Sequence, residues 1–246
     1  MKIRVGHLYP DYLNIYADRG NIAVLSERAR ARGHELDVTA IGMREAVPAG
    51  MNLFYIGGGQ DREQGLVAVD LASKAEALTA AAAGGAVVLA VCGGYQLLGR
   101  FYRDVAGNEL PGVGLLPLHT LAGSRRMIGD VLLDCGWAGQ ALAGFENHAG
   151  RTILDAGAEP LGRVVSGFGN DGESGAEGCR SGRVYGTYLH GPLLPRNPWF
   201  ADRLLSEALA HGADGEPEEL APLEDGLERQ AHEVSASRAR ARGGRS

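Results

Sequence analysis

The sequence predicts an α/β fold of three layers, in which a mostly parallel central sheet is flanked by helices and followed by a mixed second half. Short apolar runs at 3–8, 36–41, 53–56 and 87–91 alternate with helix-patterned stretches up to residue 100, the order a parallel sheet requires. Turn formers bound each run, and Gly33 and Gly84-Gly85 close the intervening helices. After residue 100 the pattern loosens. Strand-like segments at 127–133, 164–168 and 184–189 are separated by glycine-rich turns, so antiparallel additions are expected there.

Taken in order, 3–8 is the first strand, 21–32 a helix with apolar Ile22, Val24 and Leu25, and 36–41 the second strand. The connection from Tyr9 to Asn21 is too polar and aromatic for an ordinary short link and marks a functional loop or a partner surface. Strand 53–56 runs into Gly57-Gly58-Gly59-Gln60-Asp61. Consecutive glycines free the backbone to aim N–H groups at a ligand oxygen, so this is either an anion-binding loop or a flexible turn. One long helix is expected over 62–83, and a proline-initiated one over 198–211. The stretch 145–152, polar and flanked by glycine, reads as a loop, with His148 either touching a ligand or solvated.

The centre of the chain is Val87-Val88-Leu89-Ala90-Val91-Cys92-Gly93-Gly94-Tyr95-Gln96. A buried strand changes at Cys92 to the helical spacing of Tyr95, Leu98 and Tyr102. So sharp a corner needs small residues two before and two after it, and Ala90 and Gly94 stand there. This is a nucleophile elbow with sulfur in place of a hydroxyl. The partial positive charge at a helix start favours thiolate, the reactive form. Late in the chain, 184–189 reads as a strand ending at His190, where Gly191-Pro192 turns the chain away, and a strand end near the reactive edge is the place for a general base.

Composition narrows the function classes. With 246 residues, 45% of them hydrophobic, the chain supports one large domain, 1–211, and a tail, 212–246. That tail is acidic, then Arg-rich, and is expected to be solvated and partly helical or disordered. A net charge of -6 gives no general attraction to nucleic acid or anionic lipid. No apolar run is long enough to span a membrane, and three cysteines without metal-like spacing or a secretory leader point to a reduced, cytoplasmic setting with no bound metal. No phosphate-binding Gly-x-x-x-x-Gly-Lys-Ser/Thr loop occurs, so no cofactor is expected in this chain.

A glycine loop, a cysteine elbow and a late histidine are the parts of thiol-based acyl transfer. Cys92-Gly93-Gly94-Tyr95-Gln96 resembles the Cys-x-Gly-x-Gln signature of class I glutamine amidotransferases, whose fold is flavodoxin-like, and Thr187-Tyr188-Leu189-His190-Gly191 resembles their cobyric-acid-synthase-like branch. Three stretches are similar to the glutaminase subunits of lipid II isoglutaminyl synthases: Tyr9-Pro10-Asp11 to Arg19-Gly20-Asn21, Arg126-Met127-Ile128-Gly129, and Phe145-Glu146-Asn147-His148 with Arg151-Thr152. The resemblance covers about residues 1 to 211. It implies that Cys92 attacks glutamine, that Gly93 with Gly58 or Gly59 holds the oxyanion, and that His190 carries protons. Gln96, Asn147, His148 and Arg126, or the adjacent Arg125, would bind the substrate. It further implies a Mur-ligase-like partner subunit that holds ATP and Mg and uses the ammonia on lipid II, with a cobyrinic or cobyric acid amidotransferase as the alternative. One position departs from the wider pattern: Pro192 stands where many class I enzymes carry the acid that orients the histidine.

Overall fold

A computed structural model describes residues 1–15, 19–59, 61–210 and 217–243. Its first half contains β1 (Lys2–Leu8), α1 (Arg19–Arg30), β2 (Glu35–Ile41), β3 (Leu53–Ile56), α2 (Asp61–Ser73), α3 (Ala75–Ala83), β4 (Val87–Val91) and α4 (Gly93–Leu98). The second half contains β5 (Phe101–Arg103), β6 (Glu109–Pro111), β7 (Leu118–Cys135), β8 (Gln140–Leu154), β9 (Gly162–Ser166), β10 (Ala176–Glu177), β11 (Cys179–Ser181), β12 (Val184–Thr187), α5 (Pro198–Leu209) and α6 (Gly226–Gly243).

Among the described residues there are two sheets. The first runs β11-β12-β4-β3-β1-β2 and is parallel except for the β11–β12 edge. Every residue of β3, β4 and β12 is buried, as expected for central parallel strands covered on both faces. From β1 the chain crosses outward to β2, then returns to the other side for β3, β4 and β12. Right-handed crossovers therefore put α1 and α2 on opposite faces, α1 packing with α5 and α2 with α4. The reversal between β1 and β3 opens a crevice at the carboxyl ends of the strands, where α/β proteins bind ligands. The second sheet, β10-β9-β7-β5-β6 with β8 on β7, is antiparallel except for β5–β7. Its main feature is the long β7–β8 ribbon.

Four local expectations are corrected. The helix expected over 62–83 is two helices, broken at Lys74. There the backbone N–H bonds only three residues back, to Leu71 O, and the buried ammonium folds onto Asp70 beneath the Tyr9 ring. Tyr102 lies on β5, not on the elbow helix. Gly99 turns extended because β7 runs so close that a Cβ there would sit 2.3 Å from Leu118 Cδ1. The presumed loop 145–152 is part of β8, with Glu146, His148, Gly150 and Thr152 alternating inward. The last strand stops at Thr187, whose hydroxyl accepts the Leu189 N–H and pulls the chain out of the ladder.

The acidic and Arg-rich stretch ends in α6, which packs on β7, β8 and β9 through Ala236 and Ala239. Ser166 Oγ donates to Ala239 O at 2.6 Å. Ahead of it, the Arg28 guanidinium forks between Asp202 and Asp225, joining α1, α5 and the start of the C-terminal segment. The proposed boundary at 211/212 lies outside the described residues.

Candidate active site

β4 delivers Cys92 to the carboxyl edge of the first sheet, and α4 begins at once. The corner holds Cys92 at φ 48, ψ -107, a conformation that L residues avoid. Gly94 is required here, since a Cβ would lie 2.5 Å from Ile56 Cγ2 and 2.8 Å from Gly57 O. The Cys92 N–H donates to Thr187 O at 2.8 Å, so the elbow is tied to the end of β12. The thiol residue is only 5% exposed.

The glycine loop after β3 lies against this elbow, and its three carbonyls are tied by three different donors. Gly57 O accepts from Gly94 N at 3.2 Å, Gly58 O from Ile15 N at 3.2 Å, and Gly59 O from Gln64 Nε2 at 3.2 Å. No cis peptide occurs among the described residues, so each N–H points opposite to the carbonyl before it. With Gly58 O turned to Ile15, the Gly59 N–H is turned away from it. Gly59 N lies 3.0 Å from where a Cβ on Gly93 would be. Gly59 thus faces the elbow, whereas the Gly58 N–H opposes a carbonyl that already points there. Gln60 lies outside the described residues.

A cavity of about 650 Å³ opens over the thiol. Cys92, Gly59, Gln64 and Gln96 form one wall, and Arg126, Asn147 and His148 on the β7–β8 ribbon form another. Of the two neighbouring arginines it is Arg126 that lines the cavity. Its Nε donates to Asn147 Oδ1 at 3.0 Å, and its Nη2 to Asn147 O at 3.2 Å. Arg125 instead lies over the Phe168 ring.

His148 is buried rather than solvated. It stacks on Tyr188 with ring centroids 3.5 Å apart and planes 3° from parallel, and its Nε2 faces Glu146 Oε2 at 3.5 Å. Gln96 Nε2 donates to Tyr188 Oη at 2.9 Å, and that hydroxyl also shares a hydrogen bond with Thr152 Oγ1 at 2.6 Å.

His190 is fully buried and is not part of the cavity lining. Register places it at the right edge: Thr187 pairs with Val91, and the chain passes through Tyr188 and Leu189 to the histidine. His190 then bridges Phe145 of β8, its N–H donating to Phe145 O at 2.7 Å.

The approach to His190 is held by a residue that sequence reasoning missed. Glu177, wholly buried on β10, accepts from Tyr188 N at 2.6 Å and from Thr187 Oγ1 at 3.1 Å. Burial pushes its carboxyl up to about 8. The Tyr188 N–H and the Thr187 hydroxyl pull it back, the Glu146 charge raises it further, and the His190 ring lowers it. Gln64 was missed as well, because a glutamine in a helical first turn ordinarily faces water. No linear signal marks Glu177, which sits among glycine turns. Among the described residues no group of His, Cys, Asp and Glu could hold a metal ion, and no helix is long and apolar enough to cross a membrane.

Fold and elbow define a class I glutamine amidotransferase architecture, and the comparisons agree. A solved structure of PurLQS from Thermotoga maritima superposes with a TM-score of 0.55 at 18% identity, over 96% of this chain and 100% of that one. A second, described as a glutamine amidotransferase, gives 0.50 at 15% identity over 94% and 98%. The pattern of the CobB/CobQ-like glutamine amidotransferase domain matches residues 4–198.

The GatD subunit of the glutamine-hydrolysing lipid II isoglutaminyl synthase of Staphylococcus aureus (strain N315) is 39% identical over 97% of this chain and 96% of its own. The same subunit of Streptococcus pneumoniae (strain ATCC BAA-255 / R6) is 38% identical over 85% and 81%. Cobyric acid synthase of Pelotomaculum thermopropionicum is 37% identical, but over 61% of this chain and 31% of its own length. The chain belongs to the CobB/CobQ-like glutamine amidotransferase family, in the branch that holds these GatD subunits. It is a glutamine-hydrolysing amidotransferase enzyme.

Proposed function

We propose that this chain is the glutaminase subunit of a two-subunit lipid II isoglutaminyl synthase. The observation that carries the reading is the strained Cys92 elbow opening into a cavity with Gln96 on one wall and Arg126 on the other, in a chain that matches GatD relatives almost end to end. Cys92 Sγ attacks the side-chain amide carbon of glutamine. The N–H groups of Gly93 and Gly59 hold the oxyanion, each such donor contributing roughly 3 to 4 kcal/mol in the transition state. His190 takes the thiol proton, passes one to the departing ammonia, and later activates the water that cleaves the glutamyl thioester.

Arg126 offers a planar fork to the α-carboxylate. Arg126→Ala is expected to raise KM for glutamine at least tenfold, with kcat falling less. Steady-state ammonia release checks this, and a lower kcat at unchanged KM would remove Arg126 from substrate recognition.

The ammonia passes to a Mur-ligase-like partner that uses ATP and Mg to amidate the α-carboxyl of D-glutamate in lipid II, on the cytoplasmic side of the membrane. His190 is fully buried in this chain and acts on the buried Glu177 carboxyl, so the partner is expected to tune the imidazole on docking by shifting the packing around it rather than by contact. The isolated chain should hydrolyse glutamine slowly, and adding the ligase subunit should raise kcat by 10-fold or more. Full activity in the lone chain, unchanged by the partner, would count against this arrangement. Similarity to cobyric acid synthase, confined to 31% of that protein, gives the cobalamin-pathway alternative less support.

A further inference from the structure

The cavity wall contains a second glutamine with the same unusual accounting as Gln96. Gln96 ties its Nε2 to Tyr188 Oη and leaves its buried Oε1 without a partner. Gln64, 2% exposed in the first turns of α2, ties its Nε2 to Gly59 O and also leaves a buried Oε1 without a partner. The assignment of its two terminal atoms is fixed chemically, because a carbonyl can only accept and the atom facing Gly59 O must be the amide nitrogen. Gln64 also sits directly against the elbow, since a Cβ on Gly93 would lie 2.8 Å from its Nε2. A buried oxygen with no donor is costly to keep unless something that arrives later satisfies it.

We propose that Gln64 is a specificity-determining residue whose Oε1 accepts an N–H of the substrate's primary carboxamide. The inference rests on the glutamine-hydrolysing reading of the site and adds the means by which an amide is told from an ester or an acid. The neighbourhood sorts the substrate's groups. Arg126 presents a cation to a carboxylate, while the elbow side presents acceptors and therefore calls for donors. Of the two orphaned oxygens, the one on Gln64 is adjacent to Gly93 and Gly59, where the scissile group must lie. A glutamine side chain held there directs its carbonyl oxygen to the backbone N–H groups and its NH2 to Gln64. A carboxylate offers no hydrogen to this acceptor and sets negative charge against it. The same side chain, by holding Gly59 O, keeps the glycine loop in place, so its two ends serve different purposes.

The test compares glutamine with glutamate γ-methyl ester, which carries the same acyl group but no amide hydrogen, on the unsubstituted chain and on Gln64→Leu and Gln64→Met. Release of the Gly59 carbonyl slows both substrates alike and cancels in the ratio of their kcat/KM values. Loss of the acceptor slows only the amide. The glutamine-to-ester ratio is expected to fall about tenfold in both variants. Thermal unfolding checks that each is folded, and the unbranched methionine keeps the comparison available should the leucine variant fail. An unchanged ratio overturns the proposal and leaves glutamine hydrolysis standing. Absence of glutamine turnover by the unsubstituted chain, alone and with the ligase subunit, overturns the site reading together with the proposal.

Discussion

Cys92→Ala abolishes ammonia release from glutamine, and Cys92→Gly does the same while leaving a more stable protein than the alanine variant. Both expectations follow from the corner between β4 and α4. Each substitution removes the sulfur that the proposed reaction uses to form its thioester. They differ in what they do to a backbone held at φ 48, ψ -107. Alanine keeps the Cβ and with it the strain, whereas glycine enters this region freely and loses only its greater unfolded-state entropy. Strain of this kind costs about 1 to 3 kcal/mol and the entropic penalty is about 0.5 to 1 kcal/mol, so the glycine variant should lead by about 1 kcal/mol. Chemical denaturation of the two inactive proteins measures it. Equal stabilities would mean that the elbow is not strained in solution, and residual activity in either would dismiss Cys92 as the nucleophile.

The second large effect concerns Glu177. Glu177→Ala removes acceptors from the Tyr188 N–H and the Thr187 hydroxyl on the approach to His190. With two buried bonds at about 1 to 1.5 kcal/mol each, kcat is expected to fall about 100-fold with KM nearly constant. Glu177→Gln resembles the neutral carboxyl and should retain most of kcat at pH 7. Stability responds differently. A carboxyl raised to about 8 in the folded protein keeps a proton that the unfolded chain gives up in the ordinary carboxylate range. The folded state therefore binds more protons between those limits. Its stability is complete below that range and declines as pH climbs toward about 8, at a slope of up to about 1.4 kcal/mol per pH unit. Glutamine at this position removes that slope. Denaturant midpoints across pH 5 to 8 compare the two proteins. Parallel curves, or an alanine variant that keeps its kcat, would reduce Glu177 to a filler of space.

How far the sequence reveals this site depends on whether its polar residues sit at corners or inside sheets. The elbow is legible because its steric demand is local: Ala90, Cys92 and Gly94 state it within five positions. Strands β3 and β4 are legible because parallel strands covered on both faces are apolar throughout, and Leu53–Ile56 and Val87–Val91 match the observed bounds residue for residue. Strand β8 obeys its period of two, yet the inward set is Glu146, His148, Gly150 and Thr152. Alternation usually announces itself through apolar residues facing in, and here the interior is a polar wall. Docking of α6 escapes detection for a related reason: two alanines, Ala236 and Ala239, supply the seat within a strongly charged helix. The approach of Gln64 to Gly59 joins elements through the turn of a helix, and that of Glu177 to Thr187 joins strands from different sheets. Neither leaves a periodic trace.

The β7–β8 ribbon has a mechanical consequence. It carries Arg126 on one arm and Asn147 on the other, and between Asn147 and its far turn lies Phe145, the bridge to His190. In the proposed reaction, grip on the amino acid and placement of the proton carrier therefore hang from one lever. A tilt of that lever cannot alter affinity while leaving turnover untouched, so anything that pushes on its outer end works as a throttle on both.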